Sequence, residues 1–99
     1  MAHRLSVEAE SDLDDIWVYL AKQSGSLETA DRLIDSMTER IWMLSRFPHL
    51  GRPRDHDLRP GLRTFPVGDY VIVYRVEDDD VLALRVLRGS RSIEDLLRE

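Results

Sequence analysis

The sequence predicts a two-layer α+β domain in which an antiparallel helical hairpin covers one face of an antiparallel sheet. Three observations carry this reading. Two apolar stripes at helical spacing follow one another between Ala9 and Leu44, broken only at Gln23-Ser24-Gly25-Ser26. Runs rich in Val, Ile, Leu and Tyr flank an all-acidic tip, Glu77-Asp78-Asp79-Asp80. They read as a β-hairpin because β-branched and aromatic side chains suit a half-buried pleat, while aspartates favour a solvated turn. Upstream, Val67-Gly68-Asp69-Tyr70 marks a tighter hairpin that shares a strand with the first, since Gly then Asp can supply positive φ. Two consecutive helices before such a meander give two layers.

The elements follow in order. His3-Arg4-Leu5-Ser6-Val7 is a short initial strand, with Ser6 placed to cap a helix. From Ala9, the positions Ala9, Leu13, Ile16 and Leu20 recur at helical spacing and Trp17 widens the stripe. Glu8, Glu10 and Asp12 sit near the positive end of the helix dipole. Gly25 suits a helix exit, and Ser26 can cap the next helix. That second helix runs from about Leu27 to Leu44, with Ala30, Leu33, Ile34, Met37, Ile41 and Leu44 as its stripe and Trp42 off it. Phe47-Pro48 stops it, because proline disfavours helical geometry in the residue before it. A turn-rich, basic connection covers Gly51 to Gly61. Strands are expected near 62–67, 70–76 and 81–88, and Ser92–Leu97 resembles a short capped helix. The order is β-α-α-β-β-β in one domain over residues 1–99.

Strand parity sorts the side chains. Pairing 70–76 with 81–88 across a four-residue tip puts Tyr70, Ile72 and Tyr74 on one face with Val81, Ala83, Arg85 and Leu87. Val71 and Val73 then share the other face with Leu82, Leu84 and Val86. The aliphatic set is expected under the helices, which leaves Tyr70, Tyr74 and Arg85 on the open face. A one-residue slip reverses the assignment.

Composition narrows the function. A 99-residue chain with 42% hydrophobic and 33% charged residues is an ordinary globular domain. No apolar run approaches the ~18 residues of a membrane span. MAHRLSVEAE lacks a secretory signal, so a cytoplasmic location is expected. The chain has no cysteine, its three histidines lack metal-ligand spacing, and Asp78–Asp80 reads as a solvated turn. Neither metal nor cofactor is expected. The net charge of −5 is uneven: residues 1–45 carry −5, residues 46–76 carry +3 and residues 77–99 carry −3. All basic residues but Lys22 are arginines, which suits bidentate contacts to carboxylate or phosphate.

The local signatures resemble the RelE/ParE superfamily of toxins from bacterial type II toxin–antitoxin modules. LSVEAESDLDDIWVYLA is similar to the family's opening helix, with Ala9, Asp12-Leu13 and Ile16–Tyr19 at the matching positions. LSRFPHLGRPR resembles its Leu-x-x-x-Pro-x-x-Gly connection, at Leu44, Pro48 and Gly51. GLRTFPVGDYVIVYRV resembles its Gly-x-Arg strand followed by Gly-x-Tyr-x-x-x-Tyr-Arg, and VLALRVLRGSRS its closing strand and basic end.

The resemblance implies one of two activities. RelE-like members are ribosome-dependent endoribonucleases, and ParE-like members are known chiefly as inhibitors of DNA gyrase. RNA cleavage needs groups that move protons and stabilise a phosphorane. RelE-like toxins supply Lys or Arg with a Tyr or His near the C-terminus. After Tyr74 this chain has no Tyr, His or Lys, and Arg88 stands where many members carry His; an arginine stays charged and shuttles protons poorly. The expected function is therefore a ParE-like toxin with no catalytic residues. It would bind DNA gyrase through Arg88, Gly89 and Arg91, and be neutralised in a hetero-oligomer by a ParD-like antitoxin. That antitoxin is expected on Trp17, Arg63, Tyr70, Tyr74 and Arg85, although Trp17 also suits plain hairpin packing. The alternatives are a nuclease using Arg63, Arg85, Arg88 and Arg91, or an inactive binding-only relative. Direct nucleic-acid binding is not expected.

Overall fold

The computed structural model describes residues 2–89. Strand β1 (His3–Leu5) leads into helix α1 (Val7–Ser24), then α2 (Leu27–Arg46), β2 (Arg52–Pro53), β3 (Arg63–Val67), β4 (Tyr70–Glu77) and β5 (Asp80–Arg88). The five strands form one sheet in the order β1-β5-β4-β3-β2; β1 runs parallel to β5 and the other pairs are antiparallel. The two-residue strand β2 lies within the stretch expected to be a plain connection. The end of the chain, including Arg91 and the tail Ser92–Leu97, lies outside the described residues.

Local chemistry sets the helix ends. Ser6 Oγ accepts from the Ala9 N–H and donates to the Leu84 carbonyl, so one hydroxyl caps α1 and ties it to β5. Gly25 leaves α1 at φ 67°, and Ser26 caps α2 by accepting from Thr29. Met37, Ile41 and Leu44 of α2 and Leu13 and Ile16 of α1 pack on the sheet. Among the described residues, no helix is long and apolar enough to cross a membrane.

The sheet departs from simple alternation at two places. The acidic tip is two residues, not four: Asp78 and Asp79 both take positive φ, and Glu77 pairs with Asp80. Aspartate tolerates this left-handed geometry, so the strands extend one residue further from each side. Farther along, Val73 pairs with Arg85 while Tyr74 pairs with Ala83, which leaves Leu84 as the extra residue of a bulge. The bulge turns Arg85 and Leu87 away from the face that carries Val81 and Ala83.

The face assignment is reversed before the bulge, whereas beyond it Val86 lies under the helices and Arg85 and Leu87 on the outer face, as expected. Tyr70, Ile72, Tyr74, Val81, Ala83 and Val86 lie under the helices, with Tyr74 fully buried. Val71, Val73, Leu84 and Leu87 join Leu58 and Leu62 on the outer face. Tyr70 and Tyr74 therefore offer little or no surface to an antitoxin. The physical reason is that a tyrosine can enter a core when its hydroxyl finds partners there. The Tyr74 hydroxyl accepts from the Gly51 N–H at 2.8 Å and donates to the Pro48 carbonyl at 2.7 Å.

Candidate functional site

The outer face of the sheet carries a shallow groove of about 330 Å³. Leu62, Val73 and Leu84 form its apolar floor, and Arg59, Arg75, Arg85 and Glu8 its rim. The loop before β3 builds one wall. The Arg54 N–H donates to the Leu62 carbonyl, its guanidinium grips Asp57 and Thr64, and Asp55 accepts from the N–H of Gly61. Gly61 sits at φ 84°, a conformation that favours glycine. The Arg54 guanidinium holds the Asp57 carboxyl below its usual range. These bonds hold Leu58, Arg59, Pro60 and Leu62 beside the strands.

The opposite wall depends on Asp12. Arg85 donates to both its carboxylate oxygens, from Nε at 2.7 Å and from Nη2 at 2.9 Å. The Val86 N–H, on the part of β5 that β1 does not reach, donates to the same carboxylate at 2.9 Å. Asp12 thus closes a sheet edge and orients a rim arginine together. A bidentate pair fixes direction as well as charge. Arg75 is oriented by Glu77, whose carboxyl it holds below the usual range.

The remaining candidates fall elsewhere. Arg63 lies on the helix side, where Nη1 donates to the Gly51 carbonyl at 2.7 Å. Arg88 sits at the far end of β5, its guanidinium 5.5 Å from the Tyr19 ring centre and donating to the Tyr19 hydroxyl. Gly89 follows at φ 77° and closes the ladder by donating to the Asp69 carbonyl. Trp17 is half-buried, and its indole donates to Asp31 across the helical hairpin at 2.8 Å, so it packs α1 on α2. The three described arginines of the nuclease alternative occupy three neighbourhoods and do not converge. Tyr74 is sealed in the core, and burial raises its pKa above the ordinary tyrosine value.

Sequence reasoning missed Leu62, Leu84, Arg59 and Arg75 as groove residues and Asp12 as the group that sets the rim. The Asp12-Leu13 pair was visible, but nothing in the chain placed it opposite a bulge 73 positions later. Among the described residues, no group of His, Cys, Asp or Glu could hold a metal ion.

Comparison with known proteins agrees with this architecture. Residues 4–93 match the family model described as the ParE toxin of the type II toxin–antitoxin system parDE. The chain is 38% identical over 82 residues to Toxin ParE3 of Caulobacter vibrioides, covering 83% of this chain and 80% of that protein. It is 39% identical over 88 residues to Toxin ParE1 of the same organism, covering 89% and 88%. The chromosomal ParDE system from P. aeruginosa superposes with a TM-score of 0.78 at 24% identity, over 91% of this chain and 97% of that one. The RelBE2 toxin–antitoxin complex from Mycobacterium tuberculosis gives 0.67 at 24%, over 88% and 95%. These two likenesses show the fold.

Proposed function

The chain belongs to the ParE toxin family of type II toxin–antitoxin systems, and we propose that it arrests growth in the cytoplasm by binding DNA gyrase. It does so without chemistry of its own, and a ParD-like antitoxin neutralises it. The observation that carries this reading is the outer groove: an apolar floor ringed by oriented arginines, two of which are already tied to carboxylates. Such a surface suits an amphipathic segment with apolar anchors and acidic flanks, laid as a helix in a groove. Arg85 and the groove floor hold the antitoxin, Arg63 adds charge on the helix side beside Gly51, and Trp17 supports the hairpin instead. Arg88 and Gly89 at the end of β5, with Arg91 beyond, contact the target.

The nuclease reading needs cations and a proton-transfer group around one phosphate. Dispersed arginines and a buried Tyr74 argue against it. Purified protein is expected to inhibit gyrase supercoiling, or to trap its cleavage complex, and to leave ribosome-bound mRNA intact. Specific ribosome-dependent cleavage by the wild type would overturn the reading.

A further inference from the structure

A second exposed apolar surface lies on the helix side of the sheet, away from the groove. From Arg40 to Leu50 the chain carries two arginines, Arg40 and Arg46, and no acidic residue, within a protein of net charge −5. Trp42, Phe47 and Leu50 in this stretch are 54%, 62% and 51% exposed. The Arg46 guanidinium lies 5.6 Å from the centre of the Trp42 ring. A cleft of about 460 Å³ runs along Arg46, Phe47, Pro48, His49 and Leu50.

The turn that displays these side chains is fixed from inside. Leu50 N–H closes it on the Phe47 carbonyl at 3.1 Å. Tyr74 grips it at the Pro48 carbonyl and the Gly51 N–H, and Arg63, its cross-strand neighbour, grips the Gly51 carbonyl. A Cβ on Gly51 would overlap the Tyr74 ring and hydroxyl. Two strand residues therefore hold the backbone from within while Phe47 and Leu50 face water. Their exposure adds nothing to folding. Aromatic and arginine side chains held rigidly in advance are what a protein interface uses, because little freedom is lost on binding.

We propose that the surface around Trp42, Phe47 and Leu50 docks an acidic, apolar-lined segment of the toxin's protein target. Charge selects this occupant. Pairing with a second copy through the Phe47–Leu50 cleft would set Arg46 against its own counterpart, with no carboxylate in that cleft's lining to offset it; Asp35 and Glu39 line the separate cleft beside Trp42. A nucleic acid would meet the arginines but not three large apolar side chains on a chain that is negative overall. The groove and this patch lie on opposite sides of the sheet, so both can be filled at once. The proposal shares with the preceding reading the premise of a protein target, but not its identity as gyrase.

Two variants test it: Phe47→Ser with Leu50→Ser, and Arg46→Glu alone. The readouts are growth arrest on induction, gyrase supercoiling, thermal melting, mass in solution, and binding to single-stranded RNA and DNA oligonucleotides. Each variant should melt like the wild type and need at least tenfold more inducer to arrest growth. Undiminished arrest overturns the proposal, as does a wild type that causes none. A wild-type oligomer that dissociates in the variants assigns the patch to self-association, and oligonucleotide binding lost in them assigns it to nucleic acid; either overturns it. If the wild type arrests growth but spares gyrase, the gyrase reading fails and the variants still decide this one.

Discussion

The face of the sheet under the helices and the face turned away from them are both rich in apolar side chains, but they are finished differently. On the inner face Ile72, Tyr74 and Val81 are fully enclosed, and the polar tip of Tyr74 is satisfied by Pro48 and Gly51. On the outer face Val71, Leu84 and Leu87 are only partly covered, and the arginines around them are oriented by Asp12 and Glu77. Apolar content therefore does not separate a core face from a binding face. What separates them is where the polar groups point: inward and paired in the core, or outward around an apolar floor.

The largest effect should come from the inner face. Ile41 is 1% exposed within the main core. Ile41→Ala should cost about 2–5 kcal/mol through lost transfer energy and a cavity, read as a lower midpoint in urea. Gly51→Ala should follow, at about 1–3 kcal/mol, because the added methyl must displace a packed ring. If both variants melted like the wild type, the inner face would not be the closed one.

Much of this was legible in the chain. Ser6, Gly25 and Ser26 marked the helix ends, and the apolar periodicities of α1 and α2 named the residues that reach the sheet. The faces of β4, and of β5 before its bulge, were not legible, for a physical reason. Both sets of alternating residues are apolar, so burial gives register little to choose between, and the bulge at Leu84 shifts parity midway. The groove was hidden for the same reason. Its floor joins Leu62 to Val73 and Leu84, residues that only the tertiary fold brings together.

The outer face should respond in the opposite sense. Leu84→Ser should leave melting nearly unchanged, because the residue is only partly buried, yet weaken antitoxin binding by tenfold or more as an interface anchor. Asp12→Ala falls between the two classes. It removes a bidentate partner from Arg85 and strands the Val86 N–H. The cost should be about 1–2 kcal/mol, below that of a fully buried pair because Arg85 is partly solvated. Antitoxin binding should fall too, since the rim loses its orientation. A Leu84→Ser protein that melts far below the wild type while holding antitoxin normally would exchange the roles of the two faces.

The smallest effect separates the faces by pH. Burial raises the Tyr74 pKa above its ordinary value near 10, with the Gly51 hydrogen bond and Arg63 opposing the shift. The folded state thus keeps a proton that the unfolded chain gives up. The sign follows from linkage: this contribution is fully present below the unfolded pKa and is lost as pH rises through the folded one. Stability should therefore decline above about pH 10. Tyr74→Phe should be less stable at neutral pH by about 1–3 kcal/mol, because the Gly51 N–H loses its acceptor, but should lose less on going to high pH. On the outer face the exposed Glu77 carboxyl is held low by Arg75 and titrates with the opposite sense, its small contribution fading toward acid. Denaturant midpoints of the wild type and Tyr74→Phe between pH 8 and pH 11 would test this. Parallel curves would mean that the Tyr74 hydroxyl is not sealed in the core.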